Sequence, residues 1–241
     1  FEVKQNPKVD EVNKALPGAN CGACGYAGCN AYAEAVANNK DIPVDLCIPG
    51  QKKVAEKVAG ILGRECKTDS VKKVAKLKCA GTKDKAADKY EYHGIKTCKA
   101  ASLVSKGPKI CSYGCIGFGD CVKACKFGAL KIGKDGLPVV DEERCTACGA
   151  CLKACPKSLF ELVPKDKKVH VLCSSKDPAK DVTKACKVGC IACKICENTC
   201  QFDAIHVVDN IAKIDYDKCT QCGACVLKCP RKIIVKDKKT N

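Results

Sequence analysis

Near the C-terminal end the chain reads CTQCGACVLKCP from Cys219 to Pro230, four cysteines spaced C-x2-C-x2-C-x3-C with a proline behind the last. Thiolates at that spacing can take three corners of an iron–sulfur cubane, and the fourth cysteine points away to complete a neighbouring cluster. The run therefore implies a partner run, and the chain supplies several. Cysteine accounts for 25 of 241 residues. In a short secreted protein that density would suggest a disulfide scaffold. Here the cysteines crowd into tight runs whose members cannot easily bridge one another, which points to metal binding in a reducing compartment.

The runs repeat. Cys98, Cys111, Cys115, Cys121 and Cys125 recur 75 positions later as Cys173, Cys186, Cys190, Cys196 and Cys200, and Cys145, Cys148, Cys151 and Cys155 recur 74 positions later as Cys219, Cys222, Cys225 and Cys229. Crossover ligation then assigns one [4Fe–4S] cluster to Cys190, Cys193, Cys196 and Cys229, and a second to Cys219, Cys222, Cys225 and Cys200. In the first copy Cys145, Cys148 and Cys151 join Cys125. The position matching Cys193 is Phe118, so Cys111 is expected to stand in beside Cys115, Cys121 and Cys155.

A separate set, Cys21, Cys24, Cys29 and Cys47, is spaced C-x2-C-x4-C-x17-C and interleaved with Gly22, Gly25 and Gly28. Glycine lets backbone approach a cluster and aim N–H groups at its sulfurs. Zinc is the alternative, although zinc sites usually pair two C-x2-C knuckles. These five clusters use 20 cysteines and leave Cys66, Cys79, Cys98, Cys173 and Cys186. A sixth cluster on Cys79, Cys98, Cys173 and Cys186 is one outcome; spare buried thiols are the other. His93, His170 and His206 lie apart from the runs and are expected to be structural or surface residues, as is Cys66.

Local patterns show what must position these ligands. Residues 1–15 are polar and look like an incoming tether. Alanines at helical spacing predict a short helix over residues 30–39, carrying the chain from Cys29 back to Cys47. QKKVAEKVAGIL predicts an amphipathic helix ending near Gly63. A Lys-rich connector follows, ending in a strand at VAKLK. Between the cysteine runs of each copy lie two apolar stretches around a turn, at Asp135-Gly136 and at Asp209-Asn210, which are hairpin signals. The fold class is α+β: an N-terminal four-cysteine domain over 1–63, a connector over 64–97, and tandem two-cluster modules over 98–165 and 166–241.

Aromatic residues are 5% of the chain, with no Trp and no Met. So little large apolar volume implies that metal binding supplies much of the folding free energy. The formal charge is +16, and five oxidised clusters at roughly −2 each would bring it to about +6. Of the 43 basic residues 40 are Lys, with only Arg64, Arg144 and Arg231 as Arg. Nucleic-acid sites favour Arg forks and stacking aromatics, so no nucleic-acid partner is expected. A diffuse Lys field suits an acidic protein or an anionic membrane surface. No apolar run reaches the ~18 residues that span a bilayer. There is no G-x-G-x-x-G opening a helix after a strand and no P-loop, so no catalytic or nucleotide site is expected on this chain.

LPGANCGACGYAGC followed by Cys47, then tandem two-cluster ferredoxin units, resembles the B subunits of Rnf complexes, membrane-bound ion-pumping ferredoxin:NAD oxidoreductases. The likeness runs from Ala15 to about Val235 and is nearest to the longer clostridial or acetogen form. The N-terminal motif alone also occurs in corrinoid iron–sulfur proteins and hydrogenase-linked subunits. The resemblance implies an electron-transfer subunit with at least five clusters, reduced by ferredoxin and passing electrons to other subunits, which carry the flavins and nicotinamide site. It implies a place at the cytoplasmic face of the bacterial cell membrane, with an N-terminal membrane helix missing before Phe1. The alternative is a polyferredoxin feeding a hydrogenase, a heterodisulfide reductase or a corrinoid system.

Overall fold

The computed structural model describes residues 6–66 and 71–237. Residues 1–5 of the expected tether and 67–70 of the expected connector lie outside the described residues.

Three helices form the N-terminal unit: α1 (Pro7–Ala15), α2 (Cys29–Asn38) and α3 (Gln51–Leu62). The second half of the expected tether is thus a helix. Asn6 caps it, its Oδ1 accepting the Lys8 N–H at 3.1 Å, and Pro7 occupies the first turn. Its Val12 is fully buried among Tyr32, Val36 and Val58. Gly63 ends α3 at φ 65°, where a side chain would be strained.

The first module is built from β1 (Lys73–Leu77), α4 (Cys98–Leu103), α5 (Asp120–Lys123), β2 (Leu130–Ile132), β3 (Pro138–Val140), α6 (Ala150–Ala154) and β4 (Phe160–Pro164). β1 pairs antiparallel with β4, Leu77 opposite Phe160, and β2 pairs with β3. The second module repeats the plan with β5 (Val169–Val171), α7 (Ala179–Ala185), α8 (Ile195–Thr199), β6 (Ile205–Val208), β7 (Ile211–Ile214), α9 (Ala224–Lys228) and β8 (Ile234–Lys236). Here β5 pairs with β8 and β6 with β7. The β6–β7 turn is the expected one, with Asp209 and Asn210 both left-handed at φ 53° and 62°. Because β1 is the outer strand of the first module, that module begins inside the stretch expected as connector 64–97.

Segment 78–87 runs against 172–187 and joins the modules. Ala80 N–H donates to Leu172 O at 3.0 Å, and Lys187 N–H to Lys85 O at 2.8 Å. A charged network adds to the seam: Lys76 of β1 meets Glu142 and Asp237, and Lys168 meets Glu142 at 3.2 Å. His170 is buried there, 2.8 Å from the Tyr216 hydroxyl and 3.4 Å from Asp237. The apolar cores are small. Of the twelve buried residues at the centre of the first module, four are cysteines. The thiols therefore sit where a larger domain would place its Leu and Phe.

Candidate metal centres

In each regular run the residues on both sides of the middle cysteine are left-handed. Ala147 and Gly149 flank Cys148 (φ 58° and 76°), Ala192 and Lys194 flank Cys193 (53° and 58°), and Gln221 and Gly223 flank Cys222 (64° and 85°). A left-handed alanine costs roughly 1 kcal/mol, so the surroundings must hold it. The reward is a loop that turns successive N–H groups and thiols inward around one hollow. The irregular run keeps the same backbone: Gly117 and Gly119 flank Phe118 at φ 89° and 81°. The loop is intact there and only the ligand has changed.

The crossover cysteines share a second device. Cys125, Cys155, Cys200 and Cys229 are each followed three residues later by a left-handed residue: Gly128, Ser158, Asp203 and Lys232. That turn brings the N–H of the fourth residue onto the sulfur, Ala129 to Cys125 at 3.3 Å, Leu159 to Cys155 at 3.5 Å and Ala204 to Cys200 at 3.4 Å. Pro follows Cys155 and Cys229 but neither Cys125 nor Cys200, and the turn forms regardless. Such bonds favour the thiolate and set cluster potential.

Four hollows are each ringed by four cysteines: Cys125, Cys145, Cys148 and Cys151; Cys200, Cys219, Cys222 and Cys225; Cys98, Cys115, Cys121 and Cys155; and, at the seam between modules, Cys79, Cys111, Cys173 and Cys186. Cys190, Cys193, Cys196 and Cys229 also come together: burial pushes the Cys196 thiol up to about 11, and the other three add like-charge repulsion.

Two positions therefore differ from expectation. Cys111 does not join Cys115, Cys121 and Cys155; Cys98 does, delivered by the first turn of α4. Nor does Cys98 join Cys79, Cys173 and Cys186; Cys111 takes that place. The physical reason is the seam. Cys79 and Cys173 each lie two residues past an outer strand, β1 and β5, and Cys111 and Cys186 each precede a cysteine run. The seam quartet thus takes equivalent residues, two from each module. Cys98 sits on an insertion: Cys79 and Cys111 are 32 positions apart, Cys173 and Cys186 only 13.

At the N-terminal unit, burial raises the Cys47 thiol to about 11, with Cys29, Cys24 and Cys21 contributing repulsion. Asn20 braces this loop, its Oδ1 accepting the Cys29 N–H at 2.8 Å. A Cβ on Gly28 would meet that same oxygen at 2.8 Å. Arg64 donates to Lys40 O and Ile42 O, both at 2.6 Å, and so holds the return segment to Cys47. Lys126, next to Cys125, donates to Asn20 O at 2.9 Å and ties this unit to the first module. Asn20 and Lys126 carry no signal of these roles in the sequence beyond Asn20 directly preceding the first ligand.

Asp120 gives no such signal either. Its Oδ2 accepts the Lys99 N–H at 2.9 Å and fixes α4, and with it Cys98. Its Oδ1, like Thr146 Oγ1, is buried beside a cysteine hollow without a hydrogen-bond partner among the described residues.

No cysteine is disulfide-bonded. Among the described residues no three His, Cys, Asp or Glu side chains converge tightly enough to share one ion. Four thiolates set around a hollow suit a cubane, whose core would stand between them. His93 lies beside Glu91, and His206 beside Glu197 and Asp203. Cys66 packs at the edge of the N-terminal core.

Family comparison agrees with this layout. Residues 16–49 match a model described as "Putative Fe-S cluster", and residues 110–159 and 189–234 each match a 4Fe-4S dicluster domain. The chain is 47% identical over 97% of its length, and 88% of the relative's, to the B subunit of the ion-translocating oxidoreductase complex of Methanosarcina acetivorans. It is 48% identical over 98%, and 71% of the relative's, to the B subunit of the Na(+)-translocating ferredoxin:NAD(+) oxidoreductase complex of Acetobacterium woodii. The B subunit of the proton-translocating ferredoxin:NAD(+) oxidoreductase complex of Clostridium ljungdahlii is 46% identical over 95% of the chain and 81% of its own length.

Proposed function

Because the chain belongs to the family of B subunits of ion-translocating ferredoxin:NAD(+) oxidoreductase complexes, we propose that it relays electrons from reduced ferredoxin to other subunits of such a complex through six [4Fe–4S] clusters. Each cluster, when bound, takes up and releases one electron at a time. The ligand sets are the N-terminal Cys21, Cys24, Cys29 and Cys47, the two regular quartets of the second module, Cys145, Cys148 and Cys151 with Cys125, and the two quartets around Cys98 and around the seam.

One observation supports the reading: neighbouring quartets are linked pair by pair, by hydrogen bonds or electrostatic contact. Lys126 joins the N-terminal loop to Cys125. Cys151 of the Cys145 quartet feels Cys121 of the Cys98 quartet. Cys115 of the latter feels Cys79 at the seam. Across the seam, Cys173 accepts the Cys190 N–H. Crossover of Cys200 and Cys229 links the last two sites. The protein's part is to hold these sites close, dry and hydrogen-bonded.

Among the described residues no helix is long and apolar enough to cross a membrane. We place the chain at the cytoplasmic face of a cell membrane, in the reducing compartment that its cysteine runs favour. Iron at about 24 atoms per chain, with a broad visible band that ferredoxin bleaches, is the expected result. About 20 atoms would remove the seam cluster. Co-purification with soluble hydrogenase subunits, in place of membrane partners, would overturn the assignment to this complex.

A further inference from the structure

Only two of the 25 cysteines, Cys193 and Cys222, are exposed, and Cys222 belongs to the Cys219 quartet. The helix that follows it, α9, contributes no buried residue. Its Leu227 stands one turn beyond Gly223, the neighbour of Cys222, and is 87% exposed, the most of any large apolar residue described. Three lysines surround the same loop. Lys236 donates to Gln221 O at 2.9 Å, Lys167 donates to Cys219 O at 3.0 Å, and Lys228 ends α9. None of the three meets a carboxylate among the described residues, whereas Lys218 nearby is paired with Asp203.

The first module provides an internal comparison. Seventy-four positions earlier, Leu227 corresponds to Lys153, Lys228 to Ala154 and Lys236 to Leu162. The exposed apolar residue and two lysines of its rim, Lys228 and Lys236, are therefore additions to the shared fold. The first module also shows what such a quartet can receive. There the chain's own N-terminal unit, itself a cysteine-quartet unit, lies against Lys126 beside Cys125. The equivalent of Lys126 is Gln201, and no such unit of this chain covers it among the described residues.

We propose that the α9 face, with Cys222 at its edge, Leu227 at its centre and Lys167, Lys228 and Lys236 around it, docks a small acidic iron–sulfur protein that delivers electrons to the Cys219 quartet. An apolar anchor inside a charged rim is how transient partners gain both contact and steering. The positive rim selects an acidic partner and raises its encounter rate. One electron leaves the donor's cluster and one arrives at the cluster of the Cys219 quartet, with no bond made or broken and no proton moved. The proposal rests on the reading of the chain as a ferredoxin-reduced relay and adds where that reduction occurs.

The test is stopped-flow reduction of the full, iron-loaded chain by a reduced two-cluster bacterial ferredoxin. Leu227→Ser, and separately the pair Lys228→Glu with Lys236→Glu, should lower the second-order rate constant at least about tenfold at low salt and flatten its salt dependence. Iron content and the dithionite-reduced spectrum should match wild type, which separates lost docking from a lost cluster. Lys180→Glu with Lys184→Glu on α7, exposed lysines of another face, should change the rate less than about twofold. Equal rates for the α9 variants and wild type, or slowing only in the α7 pair, would overturn the docking site while leaving the relay standing. A wild-type chain that ferredoxin does not reduce, though dithionite does, would overturn both.

Discussion

The backbone N–H of Cys190 donates to the sulfur of Cys173, 3.5 Å away. One residue belongs to a quartet inside the second module and the other to the quartet at the seam. Cys173→Ala should therefore have two effects. Iron should fall by roughly four atoms. The cluster of the Cys190 quartet should remain but change its potential, because an N–H freed from one sulfur reorients near another. A redox titration followed by electron paramagnetic resonance reads both. Loss of iron with unaltered potentials elsewhere would show the two sites to be independent.

Ligand sets can be sorted by pairing substitutions. Cys98 and Cys121 ring the same hollow, so Cys98→Ala with Cys121→Ala should lose one cluster, roughly four irons. Cys111 and Cys121 ring different hollows, so Cys111→Ala with Cys121→Ala should lose two, roughly eight irons. The reverse pattern would restore the assignment that linear spacing suggests.

Iron loading should release protons. Burial, with repulsion from neighbouring thiols, pushes Cys115 and Cys151 up to about 12 and Cys47 to about 11, so at neutral pH the iron-free sites hold neutral thiols. Metal binding must displace those protons. Apparent iron affinity should rise with pH, and reconstitution in weak buffer should acidify it. Without iron the sign reverses for folding: a thiol raised above its unfolded value stabilises the fold below about pH 9 and costs stability as pH climbs beyond.

Asp237 ties the outer strands of the two modules. Burial acts to raise its carboxyl, but the hydrogen bonds from His170 and Lys76 and their charges outweigh that and hold it at about 2. A depressed carboxyl stabilises the fold above its unfolded value and loses that contribution as pH falls through the folded one. Asp237→Asn should cost about 2 kcal/mol at pH 7, and the gap to wild type in urea unfolding should narrow as pH drops below about 5.

Much of this was legible in the sequence. The repeat announced two modules, the C-x2-C-x2-C-x3-C runs pointed to crossover, which the iron counts above test, and Asp209-Asn210 announced its hairpin. Cys98 and Cys111 were not legible, because matching cysteines at a fixed offset of 75 aligned Cys98 with Cys173. The fold instead matches Cys79 with Cys173, each just past an outer strand, and the signal was the apolar strand before each: VAKLKC and VHVLC. Phe118 misled in the same way. Its flanking glycines marked a preserved loop, but only three dimensions show which remote cysteine reaches it. The helix after Asn6 was readable from the cap and from Pro7 at its start; the polar composition of residues 1–15 obscured it.

The seam quartet has a mechanical consequence. About 94 residues separate Cys79 from Cys173 along the chain. Iron gripping both would act as a removable cross-link, closing a long loop in the unfolded ensemble as a disulfide does. In the chain-entropy picture that closure favours the folded pair by on the order of 5 kcal/mol. Oxidative loss of that one cluster would then do more than interrupt conduction: it would unclasp the two halves and leave their register to a strip of backbone bonds and the charges around Asp237.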